Sequence, residues 1–234
     1  MELSKVLTIV IPCKNESKTI DTTLTLINSQ KNIKGVNVIV ADSSDDGTTY
    51  QLESRINDDF ILTVIEGGLP SKARNNGAKR VNTKFVLFMD SDIFLLDENF
   101  LCDVVKEMTH RNVDLLTTRV RTSNGKYNYI YRVFDIIQKI IKPISPFCLG
   151  GFMLIRLNKF NEIGGFDEEA KVAEDYLLSK QIKPNRFVIL NKVIYTPPRR
   201  FDNKGVIYMT KLMVKSFLNR NNKEFFKNHN TYWK

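Results

Sequence analysis

Phe85-Val86-Leu87-Phe88-Met89-Asp90-Ser91-Asp92 is the stretch that decides how this chain is read. Five apolar residues in a row are the pattern of a strand buried on both faces. Two carboxylates follow it almost at once. Burying paired carboxylates at a strand end costs too much unless a cation neutralises them. An oxygen-only donor set suits Mg²⁺ or Mn²⁺, completed by phosphate oxygens and water. The plainer reading is a solvated turn followed by a helix cap. The fifteen aspartates of the chain would give about one Asp-x-Asp by chance, so the triplet takes its meaning from position and not from occurrence.

The flanking sequence supports that position. Residues 6–11 are an apolar, β-branched run stopped by Pro12, and further strands are predicted at 36–40, 60–65 and 113–120. Between them, Ile20, Leu24 and Ile27 recur at helical spacing behind the capping candidates Asn15 and Ser17. Other helices are predicted at 48–56, from Pro70 onward, and at 97–108. Such alternation implies βαβ units and a parallel sheet with helices on both faces. The second half is less regular. It reads as a helix over 129–141, a glycine-opened strand over 150–155 and a turn at Gly164-Gly165-Phe166-Asp167. A helix then starts at Glu174-Asp175 and a strand covers 187–195. Beyond Pro197-Pro198 an amphipathic helix carries Val206, Met209, Met213 and Phe217 on one face.

With 234 residues, 42% of them apolar, the chain can bury a core without disulfides or a structural metal. Cys13, Cys102 and Cys148 are odd in number and form no CxxC pair, which argues for reduced thiols and against a zinc site. The apolar run that starts after Lys5 ends at Pro12, too short for a secretory signal, so a cytoplasmic location is expected. The apolar stretch 129–155 is broken by Arg132, Asp135, Lys139 and Lys142 and cannot supply a spanning helix. Of the net charge of +9, residues 199–234 carry +7. A near-neutral body with a basic tail points to an anionic surface partner, lipid headgroups before nucleic acid, or simply to a solvated basic helix. Phe217, Phe225, Phe226 and Trp233 beside those cations suit a helix lying in a membrane interface, though docking on the core is the commoner use of such a face.

In an open parallel sheet, ligands sit beyond the carboxyl ends of the strands. Three polar clusters fall there: Asp42 to Asp46, Lys72 to Asn75, and Asp90 to Asp92. Arg74 and Asn75 lie early in a helix, where backbone N–H groups and the dipole favour phosphate. Asp46 reads as a helix cap. His110 and His229 lie outside every cluster, and neither GxGxxG nor GxxxxGK[ST] occurs.

Six motifs in order then resemble family-2 glycosyltransferases of the GT-A fold. They are Ile9-Val10-Ile11-Pro12-Cys13-Lys14-Asn15-Glu16, residues 40–48 around Asp42-Ser43-Ser44-Asp45-Asp46-Gly47, Ala73-Arg74-Asn75, Phe88 to Asp92, Gly164 to Asp167, and Glu174-Asp175. The resemblance implies a mostly parallel α/β sheet flanked by helices, with a Rossmann-like nucleotide half (1–120), an acceptor half (121–198) and a basic tail (199–234). It implies a nucleotide-diphosphosugar donor, a UDP-sugar first, with Mn²⁺ or Mg²⁺, inversion at the anomeric carbon, and a glycan or lipid-linked hydroxyl acceptor. Carried over by residue, Pro12 and Glu16 lie in the loop over the nucleotide and Asp42 meets the base. The Asp42 to Gly47 stretch is one residue shorter than the family's common form, which leaves the base open. Arg74 and Asn75 lie at the phosphates, Asp90 at the ribose or metal, and Asp92 on the metal. Gly151 and Glu174 border the donor, and Asp175 is the catalytic base. The alternatives are a nucleotidyltransferase, or a nucleotide-binding or membrane-docking module without catalysis.

Overall fold

The computed structural model describes residues 2–55 and 58–228. Ile56, the last residue of the helix expected over 48–56, lies outside the described residues, as do His229 and Trp233. The first half alternates as its periodicity requires: β1 (Leu7–Cys13), α1 (Ile20–Asn28), β2 (Asn37–Asp42), α2 (Thr48–Glu53), β3 (Ile61–Glu66), α3 (Pro70–Ala78), β4 (Phe85–Met89), α4 (Phe100–His110) and β5 (Leu115–Thr122). The second half adds α5 (Asn128–Ile141), β6 (Phe152–Arg156), α6 (Leu157–Glu162), α7 (Glu174–Ser179), β7 (Phe187–Thr196), α8 (Arg199–Lys204), α9 (Val206–Leu218) and α10 (Lys223–Lys227). Helix α6 has no counterpart in the periodicity reading; six residues are too few to establish a period.

The seven strands lie in the order β3-β2-β1-β4-β6-β5-β7. β1 pairs in parallel with β2 and β4, setting Ile9 beside Val38 and Leu87. Both faces of these strands are covered, and alternate residues feed different cores. Leu7, Ile9, Ile11, Leu87 and Met89 pack with α1 and α4. Val10, Val86 and Phe88 pack with Phe160, Phe166 and Leu178 on the other face. This is why β4 reads as an unbroken apolar run: both sides of its pleat need apolar residues.

The sheet is mostly parallel, as the resemblance implies, and its antiparallel member is β6. It enters between β4 and β5 antiparallel to both, while β7 returns parallel to β5. A fully buried strand has the same apolar pattern in either direction, so periodicity could not reveal this. The reversal matters because it brings the start of β6 to the carboxyl end of β4, where Asp90 N–H donates to Gly151 C=O at 3.2 Å. A correction concerns the start of α1. Asn15 and Ser17 do not cap it; the Asn15 amide donates to Ser44 Oγ and the Ser17 hydroxyl to Asp46. Both residues fasten the β1 loop to the β2 loop.

The C-terminal helices fold back onto α5. Phe201 and Met209 pack with Ile130 and Phe134, and Leu212 packs with Phe147, Val172 and Tyr176. The face of α9 read as amphipathic therefore docks on the protein. No helix among the described residues is long and apolar enough to cross a membrane. The three cysteines are buried and free, and burial pushes the Cys13 thiol up to about 12 and likewise raises Cys148.

Candidate active site

The site begins with a buried arginine. Arg74, in the second turn of α3, is only 2% exposed. Its Nη2 donates to Asp90 Oδ1 at 2.7 Å and its Nη1 to Glu174 Oε1 at 2.8 Å. The guanidinium lies 5.3 Å from the centre of the Phe166 ring. Burial opposes its charge, but the Asp90 and Glu174 carboxylates more than offset this and raise its basicity. Arg74 thus joins the end of β4 to the start of α7, reaching a glutamate a hundred residues along the chain from itself. Its Nε–H is buried with no partner among the described residues.

Asp175 stands next to Glu174 at the start of α7. It is half-buried, and Tyr176 N–H donates to its Oδ1 at 2.8 Å. Loss of surrounding water and the adjacent Glu174 charge push its carboxyl up to about 7, against the pull of Tyr176 N–H, Arg74 and Arg200. Two features seat it. Ala173, just before α7, adopts a left-handed conformation (φ 54°) that costs energy for a residue with a Cβ. Gly150, also left-handed at φ 78°, lies so close that a Cβ there would sit 2.8 Å from Asp175 Oδ2. At Gly151 a Cβ would meet Ile93 Cδ1 at 2.8 Å, so a side chain there would displace Ile93.

Asp92 is half-buried one residue beyond Ser91, whose carbonyl accepts from Thr23 Oγ1 at 2.8 Å. Burial and the Asp90 charge raise its carboxyl, while Arg199 and Arg200 act in the opposite direction. Arg199 Nη2 donates to Asp92 Oδ2 at 2.7 Å and also to Glu16 Oε1. The chain after Asp92 makes this possible, because Phe94 bridges to Tyr195 at the end of β7. Arg199, just beyond that end, is carried across to the end of β4. Arg199 opens the basic stretch 199–234, and its local sequence does not reveal the link between Asp92 and Glu16.

The remaining predicted residues separate. Asp42, at the end of β2, accepts from Ser44 Oγ at 2.5 Å and Thr49 Oγ1 at 2.6 Å, which fix its carboxylate. Pro12 is half-buried near the end of β1, and Glu16 N–H donates to Thr48 Oγ1. Asn75 departs from its expected place at a phosphate. Its amide donates to Phe166 C=O and Glu168 and accepts from Phe166 N–H at 2.9 Å, so both ends hold the 164–168 turn. Asp46 accepts from Thr48 N–H and from the distant Ser17 hydroxyl, while Gly47 and not Asp46 stands at the cap position of α2.

Two cavities meet at Asp90. One, of about 380 Å³, is bordered by Asp90, Asp92, Gly151, Arg199, Arg200 and Lys204. The other, of about 280 Å³, is bordered at its inner end by Arg74, Asp90, Glu174 and Asp175. Tyr131 and Leu149 border both. Nothing in the local pattern of Tyr131 distinguished it from the rest of its helix.

A carboxylate near neutrality, two further carboxylates at a strand end and a cationic border suit chemistry on an anionic substrate. Comparison with known proteins places the arrangement. A sequence model of glycosyl transferase family 2 matches residues 8–164. The chain belongs to this family. Among curated family relatives it is similar to the poly(ribitol-phosphate) beta-N-acetylglucosaminyltransferase TarS of Staphylococcus aureus, at 26% identity over 201 residues. That match covers 80% of this chain but 34% of TarS, so the chain spans about a third of that relative. The crystal structure of TarS 1–349 in complex with UDP superposes with a TM-score of 0.66 at 24% identity, covering 92% of this chain and 66% of that one. A mannosyltransferase from Pyrobaculum calidifontis, in complex with GDP-Man and Mn²⁺, gives 0.70 at 17% identity, covering 91% and 64%. These likenesses establish the GT-A fold.

Proposed function

We propose that the protein transfers a sugar, with inversion, from a nucleotide-diphosphate donor to a hydroxyl acceptor, with Asp175 as general base. The observation that carries this reading is the Asp175 carboxyl, poised near neutrality in the cavity that meets the Asp92 and Arg199 cavity at Asp90. In this reading, Asp175 takes the acceptor's O–H proton as that oxygen bonds to C1 of the sugar. The C1–O bond to the diphosphate breaks, and the nucleoside diphosphate leaves with the bonding pair. A base with a pKa near the working pH is ionised often enough to act, yet basic enough to accept the proton. Arg74 positions Asp90 and Glu174, and its charge opposes the upward push of Glu174 on Asp175.

A UDP-sugar is the first expectation for the donor, because the TarS 1–349 structure holds UDP, and in this reading Asp42 would meet the base. The end of β4 fits a divalent ion. Burial and the Asp90 charge raise Asp92 although Arg199 lies against it, so a divalent ion there would favour its ionised form. Among the described residues no three His, Cys, Asp or Glu side chains converge, so Asp92 and Asp90 would hold Mn²⁺ or Mg²⁺ together with donor phosphate oxygens and water. Bound there, the ion would stabilise charge on the departing diphosphate. Arg199 would then turn from Asp92 to the donor phosphates. We extend the proposal to a nucleotide half through about residue 120, a catalytic half through about 198, and cytoplasmic action beside an anionic membrane surface.

Chelation is expected to abolish transfer, and Mn²⁺ or Mg²⁺ to restore it. Asp92→Asn should weaken metal-dependent UDP binding in calorimetry by about tenfold or more. Full transfer in excess chelator, with unchanged nucleotide binding, would remove the metal from the proposal. A second variant tests the seating of the base. Gly150→Ala drives a methyl against Asp175 Oδ2, so kcat should fall by about tenfold to a hundredfold while donor affinity stays constant. An unchanged kcat would mean that Asp175 does not work from this position.

A further inference from the structure

The cavity that opens from Asp175 has a wall ill suited to a polyhydroxylated acceptor. Its inner end is charged, with Asp175, Glu174, Arg74 and Asp90. Beyond that end it is walled by aliphatic and aromatic side chains, among them Phe134, Ile137, Leu149, Val172, Leu212 and Met213, with Thr210, Ser216 and Arg200 as the polar exceptions. A sugar or polyol chain placed there would lose its hydrogen bonds to water and find few in return. The donor's phosphates are better served by the neighbouring cavity, which holds Asp92, Arg199 and Lys204.

Helix α5 carries the same character to the surface. Its inner side lines the cavity with Phe134, Ile137 and Ile141. Its outer side shows Tyr129, Val133, Ile136 and Ile140 at spacings of three and four, followed by Ile144, and Ile140 and Ile144 are 69% and 74% exposed. Exposed Arg132 and Lys139 flank this stripe. A helix apolar on both sides normally lies inside a protein or against an apolar phase. With cations at its edge, the outer side fits the headgroup boundary of an anionic lipid surface.

We propose that the acceptor is an amphipathic lipid whose chain occupies the cavity between α5 and α9 and whose hydroxyl reaches Asp175. The proposal rests on the transferase reading and assigns its acceptor class. The lipid surface supplies the chain, and α5 is the element that borders both surface and cavity.

The test compares decyl and methyl glycosides of one sugar by calorimetry, in the presence of UDP and Mn²⁺ and below the micelle concentration. The decyl compound should bind at least about a hundredfold more tightly to the unmodified chain. Met213→Trp, which fills the cavity, should remove that preference while UDP binding is retained. Val172→Phe provides a second filling variant should the first fold poorly. Ile140→Lys, on the outer side, should leave decyl binding unchanged but weaken co-sedimentation with vesicles containing phosphatidylglycerol. Equal binding of the two glycosides would overturn the proposal. So would loss of decyl binding in Ile140→Lys but not in Met213→Trp, which would put the chain on the outer face. A dimer that Ile140→Lys dissolves, with no vesicle binding, would assign that face to a second copy and overturn the lipid route. Metal-dependent UDP binding reports separately on the transferase reading, so its failure is distinguishable from failure of the acceptor class.

Discussion

Asp175→Asn is expected to lower kcat by about a thousandfold or more while UDP binding stays within about twofold, because the variant keeps the shape but cannot take a proton. The native enzyme should lose activity as pH falls through about 7, since protonation of Asp175 removes the base. The variant's residual rate should show no such limb. A pH profile of kcat/KM for both proteins measures this, and unchanged turnover in the variant would refute the assignment of the base. Stability supplies an independent sign. The folded protein holds the Asp175 proton more tightly than the unfolded chain, whose value is near 3.8. The ionised carboxylate therefore costs stability progressively as pH rises from about 4 to 7, and the full cost applies above that window. Asp175→Asn should consequently be more stable than the native chain at pH 8, by about 1–3 kcal/mol after allowance for its partial exposure, and not at pH 4. A gain in stability accompanied by loss of turnover is the pattern of a functional carboxylate held in an unfavourable environment.

Arg74→Met should produce the largest loss of stability of any change in the site. It leaves Asp90 and Glu174 facing each other's surroundings without their shared cation, at an expected cost of about 3–5 kcal/mol. Arg74→Lys should recover only part of this, because one ammonium cannot reproduce the two-pronged geometry that reaches both carboxylates. Urea denaturation at pH 8 reads the effect directly. A cost below about 1 kcal/mol at pH 8 would mean that water or another cation replaces Arg74, and that the ion triad does not organise the site.

Much of the fold was legible because its signals are local. The apolar runs of β1, β2 and β4 and the spacing of Ile20, Leu24 and Ile27 depend on which faces a segment must bury, and each segment carries that requirement itself. The polar residues at the ends of β2 and β4 and at the start of α7 were likewise readable as candidate ligands. Other features depend on partners distant in the chain. Asn75 has the right position for a phosphate contact, but the 164–168 turn arrives close enough to engage both ends of its amide. Asn15 and Ser17 have the chemistry of caps, but the β2 loop offers them other partners.

Asp90-Ser91-Asp92 at the end of an apolar strand, Arg74 early in a helix and Glu174-Asp175 at the start of another were fixed by the amino-acid sequence, together with the alternating first half. Tertiary structure alone decided that β6 runs antiparallel, that Arg74 bridges Asp90 to Glu174, that Arg199 spans Asp92 and Glu16, and that α5 separates an apolar cavity from an exposed apolar face. The division has a physical cause. Periodicity records how much of each segment must be buried, whereas strand direction, charge pairing and cavity shape depend on which distant surfaces meet. Those meetings are set by the packing free energy of the whole chain and leave no period in any one segment.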